Sequence, residues 1–141
     1  MENKKSNNYL TETIPSDSKF SYPEINNAIE ALLNHNSGYP WVNEFEKKFA
    51  SKMGVNYAVA CNSGTSGLHA ALYAVGIKKG DEVIVPALTV IMDAYAVIHH
   101  GGVPVFADVD EKTHLITVEE IEKKITPKTK AIITVAWDGI S

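Results

Sequence analysis

The chain holds a single cysteine, Cys61, among its 141 residues. One thiol cannot close an internal disulfide, so a disulfide-framed secreted scaffold is excluded and a reducing compartment is expected. Cys61 itself is expected to be a core thiol at the end of a buried strand, not a reactive one. Positive charge is also short. Thirteen Lys and Arg stand against 17 Asp and Glu, a net charge of -4, which leaves no electrostatic footprint for nucleic acid. No apolar run approaches the ~20 residues of a membrane span, and the Asn-, Lys- and Ser-rich first residues lack the apolar core of a secretory signal. A cytoplasmic protein with neither membrane nor nucleic-acid partner is expected. Both familiar phosphate fingerprints are missing too. There is no Gly-x-Gly-x-x-Gly and no Gly-x-x-x-x-Gly-Lys-Ser/Thr, which argues against a dinucleotide fold and a P-loop. His35, His69, His99, His100 and His114 make no cluster with cysteine or carboxylates at ligand spacing, so no metal site is expected.

Periodicity, in contrast, is plain. Residues 1–22 are polar and read as a loosely attached arm. Ile25, Ala28, Ile29, Leu32 and Leu33 then follow helical spacing from Pro23, and Val42, Phe45, Phe49 and Met53 line a second helix capped by Gly54. From Val55 the pattern alternates. Strands are predicted at Tyr57 to Cys61, Glu82 to Val85, Val103 to Ala107 and Ala131 to Val135. Between them run helices stopped by Gly76, capped by Thr89 and closed by Gly101-Gly102, and opened by a Thr117/Glu120 capping box. Pro86 closes one strand, and Pro104 places another near an edge. The strands read as continuous apolar runs, as burial on both faces requires. Alternating strands and helices with short links indicate an α/β three-layer sandwich with a mostly parallel sheet over residues 23–141.

One seam in this pattern carries chemistry. Ala60-Cys61-Asn62-Ser63-Gly64-Thr65-Ser66-Gly67-Leu68 joins a strand to a helix whose apolar stripe is Leu68, Ala71, Leu72 and Val75. A helix start leaves N–H groups unpaired and carries partial positive charge, so it can hold an anion such as a phosphate. Ser63 or Thr65 acting only as a helix cap explains the same residues. The other polar groups read as structural. His69 is packed or solvated, His99-His100 complement a helix C-terminus, Asp108 and Asp110 form turns, and Glu119 to Lys124 make a solvated helix face.

Four blocks then fall in one order: Asn62 to His69, Gly80 to Thr89, Gly102 to Asp110, and Ile125 to Ile132. Together they resemble the N-terminal part of the DegT/DnrJ/EryC1/StrS family of pyridoxal-phosphate sugar aminotransferases, over roughly residues 20–136. The resemblance implies an incomplete fold type I aminotransferase large domain and pyridoxal 5'-phosphate as cofactor. It also implies a homodimer and amino transfer, commonly from glutamate, onto a nucleotide-linked keto sugar. Carried over by position, Gly64 and Thr65 hold the cofactor phosphate through backbone amides and the Thr65 hydroxyl, while Ser63 shapes the turn. The residue after Thr89, usually an aromatic covering one face of the pyridine ring, is here Val90, which packs on a ring without stacking. After the last strand, Trp137-Asp138-Gly139 keeps only the glycine of the family's usual run.

The family's aspartate for the pyridine nitrogen and its cofactor-attaching lysine both fall beyond residue 141. Lys128 and Lys130 lead into a strand and read as surface charges. The expectation is therefore a truncated chain, inactive alone, with no catalytic residue of its own and a weakened hold on the cofactor. Two other readings stay open: a pyridoxal-phosphate sugar dehydratase relative, and a non-catalytic binding or regulatory remnant. A gene fragment accounts for the same residues as the latter.

Overall fold

A computed structural model describes residues 19–33 and 41–139. The chain divides into two compact units, Met1–Ala60 and Cys61–Ser141. Residues 1–18 of the expected polar arm lie outside the described residues, as do residues 34–40 between the two predicted helices.

In the first unit, α1 (Tyr22–Leu33) starts where its chemistry dictates. The Ser21 amide donates to Glu24 Oε2 at 2.6 Å, one half of a capping box. Pro23 falls in the first turn, where a missing N–H breaks no helical bond. Helix α2 (Trp41–Met53) ends at Gly54, whose φ of 67° is the left-handed conformation that closes a helix cheaply only at glycine. The Val55 amide returns to the Ala50 carbonyl at 3.0 Å across that turn. Phe45 and Phe49, one turn apart, pack with ring centroids 5.8 Å apart.

The second unit is built on three parallel strands, β1 (Glu82–Pro86), β2 (Val103–Ala107) and β3 (Thr129–Ile132), in the order β2-β1-β3. Glu82 to Pro86 pair in step with Val103 to Ala107. The central strand takes the apolar load: Val83, Ile84 and Val85 are fully buried. Helices α3 (Gly64–Ala74) and α4 (Met92–His99) bring Leu72, Ala96 and Val97 onto Val83 and Val85, with Ile77 completing the cluster. Parallel strands covered by helices read as unbroken apolar runs, which is what β1 shows. Pro104 lies on the edge strand, where its missing N–H costs no central ladder bond. The short α5 (Val118–Glu122) is capped by Thr117, whose hydroxyl accepts the Glu120 amide at 3.3 Å. The other half of the expected box is not made, because the Glu120 carboxylate turns to Lys123. Among the described residues no helix is long and apolar enough to cross a membrane.

Several expectations are corrected. The run Tyr57 to Cys61 is in no sheet. It is apolar enough for a strand, but a strand needs a partner ladder, and none of β1, β2 and β3 pairs with it. Tyr57 and Val59 are left 88% and 79% exposed, and the Ala60 amide is satisfied instead by Glu46 Oε1 at 2.8 Å. Cys61 is consequently exposed, not a core thiol. Ala71 and Val75 are exposed as well, so the inward stripe of α3 narrows to Leu68 and Leu72. The last strand begins at Thr129, two residues before the expected start. The α4 helix begins three residues after Thr89, and its N-cap, Ile91, makes no side-chain hydrogen bond.

Candidate functional site

Ser63 stands at the N-cap of α3 with extended backbone (φ -159°, ψ 159°), and its hydroxyl accepts the Ser66 amide at 3.1 Å. Ser66 Oγ lies 3.0 Å from Ser63 Oγ and donates to Asn62 Oδ1 at 2.7 Å. Three consecutive polar contacts thus fix the turn before the helix. Ser66 was not singled out in the sequence, although a hydroxyl three residues after an N-cap is where a capping box would look for its second member. The Gly67 amide returns to the Ser63 carbonyl at 3.1 Å, as the first helical bond.

The amides of Gly64 and Thr65 make no hydrogen bond among the described residues, and neither does the Thr65 hydroxyl. These are the orphan donors a helix start leaves, at the positive end of an 11-residue helix. The cap and the anion readings are therefore compatible: Ser63 does the capping, and the donors one and two residues later remain free. A Cβ built on Gly64 meets nothing within 4 Å, so the approach to these amides is open. Two free amides, one free hydroxyl and the helix dipole fit a phosphate monoester.

Val90 sits on a separate segment, four residues past the end of β1, with its side chain 62% exposed. The segment is fastened by its neighbours. Thr89 Oγ1 donates to Asp93 Oδ2, and the Asp93 amide donates to the Val90 carbonyl at 3.2 Å. Asp93 is buried, a residue the sequence reading passed over. Its signal was present all the same: Asp93 lies three and four residues before Ala96 and Val97, on the inward stripe of α4.

The remaining candidates resolve as structural groups. His69 packs against the end of α4, its ring centroid 5.2 Å from that of His99 and 5.3 Å from that of His100. His100 Nε2 lies 3.1 Å from the His69 carbonyl, which can only accept, so this nitrogen is the donor. Among the described residues no group of three or more His, Cys, Asp and Glu is placed to hold a metal ion. Asp108 Oδ1 accepts its neighbour Val109's amide, and Asp110 Oδ1 accepts the amides of Lys112 and Thr113. Both aspartates therefore shape turns, as expected. Lys128 and Lys130 are exposed. The first unit carries a hollow of about 320 Å³ beside α2, lined by residues including Asn43, Glu46 and Lys47, and an apolar one of about 340 Å³ along α1; neither is lined by a residue singled out in the sequence as binding the cofactor.

A model of the DegT/DnrJ/EryC1/StrS aminotransferase family matches residues 21–141. The chain is 51% identical over 96 residues to GDP-perosamine synthase of Caulobacter vibrioides, covering 68% of this chain and 26% of that protein. It is 42% identical over 137 residues to the spore coat polysaccharide biosynthesis protein SpsC of Bacillus subtilis, covering 97% of this chain and 35% of that one. Among solved structures, an aminotransferase from Psychrobacter cryohalolentis superposes with a TM-score of 0.81 at 37% identity, over 91% of this chain and 33% of the other. The chain thus spans about a third or less of the length of these relatives.

Proposed function

This chain belongs to the DegT/DnrJ/EryC1/StrS aminotransferase family, and from that membership we propose that it carries the phosphate-holding end of a pyridoxal-phosphate site for amino transfer to a nucleotide-linked keto sugar. Its parallel sheet and flanking helices are part of a fold type I α/β domain. The observation that carries the reading is the pair of free amides at Gly64 and Thr65, on the start of a helix within the family match. When bound, pyridoxal phosphate supplies the electron sink that amino-group transfer needs.

This chain's own residues bind and orient. Gly64 N–H, Thr65 N–H and the Thr65 hydroxyl take phosphate oxygens, and Ser63 holds the helix start so that those donors converge. Val90 lays an apolar surface on one face of the ring and keeps water from it, without the stacking an aromatic gives. Whole-protein properties extend the proposal: a cytoplasmic homodimer, glutamate as amino donor, and the attaching lysine outside these 141 residues. The 141 residues by themselves then turn nothing over, since Lys128, just before β3, and Lys130, within it, are exposed surface charges.

NMR titration of the isolated chain with pyridoxal phosphate and with pyridoxal tests the cradle. Amide shifts at Gly64, Thr65 and Ser66 are expected with the phosphorylated form alone. Equal shifts with both, or none with either, would remove the phosphate assignment. Borohydride reduction of the mixture tests the second part, and a stoichiometric lysine adduct accompanied by transaminase turnover would show that the chain is active alone.

A further inference from the structure

Asp93 is 3% exposed, the one buried charged residue among those described. That burial stands out in a chain where Phe45, Met53 and Val90 all remain more than half open to solvent. A carboxylate leaves water only where dipoles and donors replace its hydration. Two such features are present: the first turn of α4, where Asp93 resides, and the Thr89 hydroxyl, which donates to Oδ2. Nothing else on a side chain fastens this helix start, because the Ile91 cap makes no side-chain hydrogen bond. Thr89 and Asp93 therefore bracket Val90 and Ile91. On the strand side, the Ala87 amide is held by the Ala107 carbonyl at 2.8 Å. On the helix side, the Asp93 and Tyr95 amides reach the Val90 and Ile91 carbonyls at 3.2 and 3.0 Å.

We propose that Asp93 is a positioning residue that locks the segment 87–91 at the carboxyl end of β1 through Thr89, presenting Val90 in one conformation before any ligand arrives. What Val90 then faces rests on the pyridoxal-phosphate reading above; the lock itself does not. A site fixed before binding does not spend binding energy on ordering its own loop. The Thr89–Asp93 contact supplies that fixation on a segment whose other side chains, Leu88, Val90 and Ile91, are exposed.

Amide hydrogen exchange on the full chain decides the lock. Thr89→Val removes the donor and leaves the carboxylate buried without it. Exchange of the Asp93 and Tyr95 amides is expected to quicken about tenfold, the scale of one lost buried hydrogen bond. Thr89→Ser keeps a hydroxyl and is expected to restore wild-type rates. The Val103 and Ile133 amides, bonded to Asp81 and Ile84 within the sheet, are expected to stay unchanged. Wild-type rates in Thr89→Val, or an equal rise in the sheet amides, would overturn the proposal. If Thr89→Val does not fold, the double variant Thr89→Ala/Asp93→Ala leaves no buried charge unpaired and is read at the same amides with the same two outcomes.

A second measurement separates the lock from the function. Thr89→Val is expected to weaken pyridoxal phosphate binding about tenfold while leaving inorganic phosphate binding unchanged, because the donors at Gly64 and Thr65 are untouched. Unchanged pyridoxal phosphate affinity in this variant would overturn the presentation of Val90. Failure of the wild-type chain to bind pyridoxal phosphate at all would instead strike the function reading, with the exchange rates still deciding the role of Asp93.

Discussion

Ser63 accepts one helix-start amide and thereby leaves the two before it free for something else. Removing its hydroxyl should separate these effects. Ser63→Ala loses the cap and is expected to lower stability by about 1 kcal/mol, read as a lower urea midpoint at unchanged slope. Because the Ser66 contacts then relax, the same variant is expected to blur the phosphate-specific amide shifts at Gly64 and Thr65. A second residue-scale expectation concerns Asp110. The Thr113 amide first, then the Lys112 amide and the Thr113 hydroxyl, hold its carboxyl below the usual aspartate range. The ionised form is thus the one the folded turn prefers. The turn's contribution is complete above the ordinary aspartate value of about 3.9 and is lost as pH falls through the lower folded value. A carboxyl-carbon NMR titration should show the Asp110 midpoint below the ordinary aspartate value of about 3.9, and Asp110→Asn should erase the acid-dependent shift at the Thr113 amide. An Asp110 midpoint at or above the ordinary aspartate value would contradict this.

Helices and strands were legible in the sequence to the extent that their neighbours are also in the chain. The β1 strand was plain because its Val-Ile-Val run is flanked on both sides by strands that exist here. Tyr57 to Cys61 has the same apolar character but no ladder, so the local signal was sound and the tertiary condition was missing. The start of α4 was misplaced for a different reason. Thr89 is a good cap by residue type, but its hydroxyl is committed to Asp93, and pattern reading places an aspartate on the surface unless its register against Val97 is weighed. The start of α3 was legible because it is local: the Ser63 cap, the free amides and the helix all lie within a few residues. Glycines show the same divide between local and tertiary causes. A Cβ on Gly102 would lie 3.0 Å from Val97 Cγ1, 3.1 Å from Ile77 Cγ2 and 3.2 Å from the Asp81 carbonyl oxygen. That oxygen is held by the Val103 amide at 2.8 Å and has little room to yield. Gly102→Ala is therefore expected to cost about 1–3 kcal/mol through overpacking. Gly64→Ala, with open space at its Cβ, is expected to leave stability unchanged or slightly raised. Paired urea melts check the contrast, and equal losses in the two variants would refute it.

At the scale of the whole molecule the balance between buried and exposed apolar surface governs behaviour. The buried apolar side chains of the second unit are few and mostly small, with Leu72, Ile77, Ile84 and three valines as the larger members. Against them stand Phe45, Phe49, Met53, Tyr57 and Val59, all between 46% and 88% exposed. Solvated monomers rarely keep contiguous apolar surface of this kind uncovered, and the relatives that share this fold are about three times as long. The 141 residues alone are therefore expected to self-associate, or to melt broadly at low temperature while binding a hydrophobic dye before the transition. Light scattering across a concentration series, run beside a thermal melt, reads both. Substituting Phe45 and Phe49 by Ser should lower the association without lowering the melting temperature, since neither ring is part of the buried core. A sharp, concentration-independent melt of a monomer above about 65 °C, beyond the usual range of mesophilic domains, would show that the exposed side chains do not limit the fold.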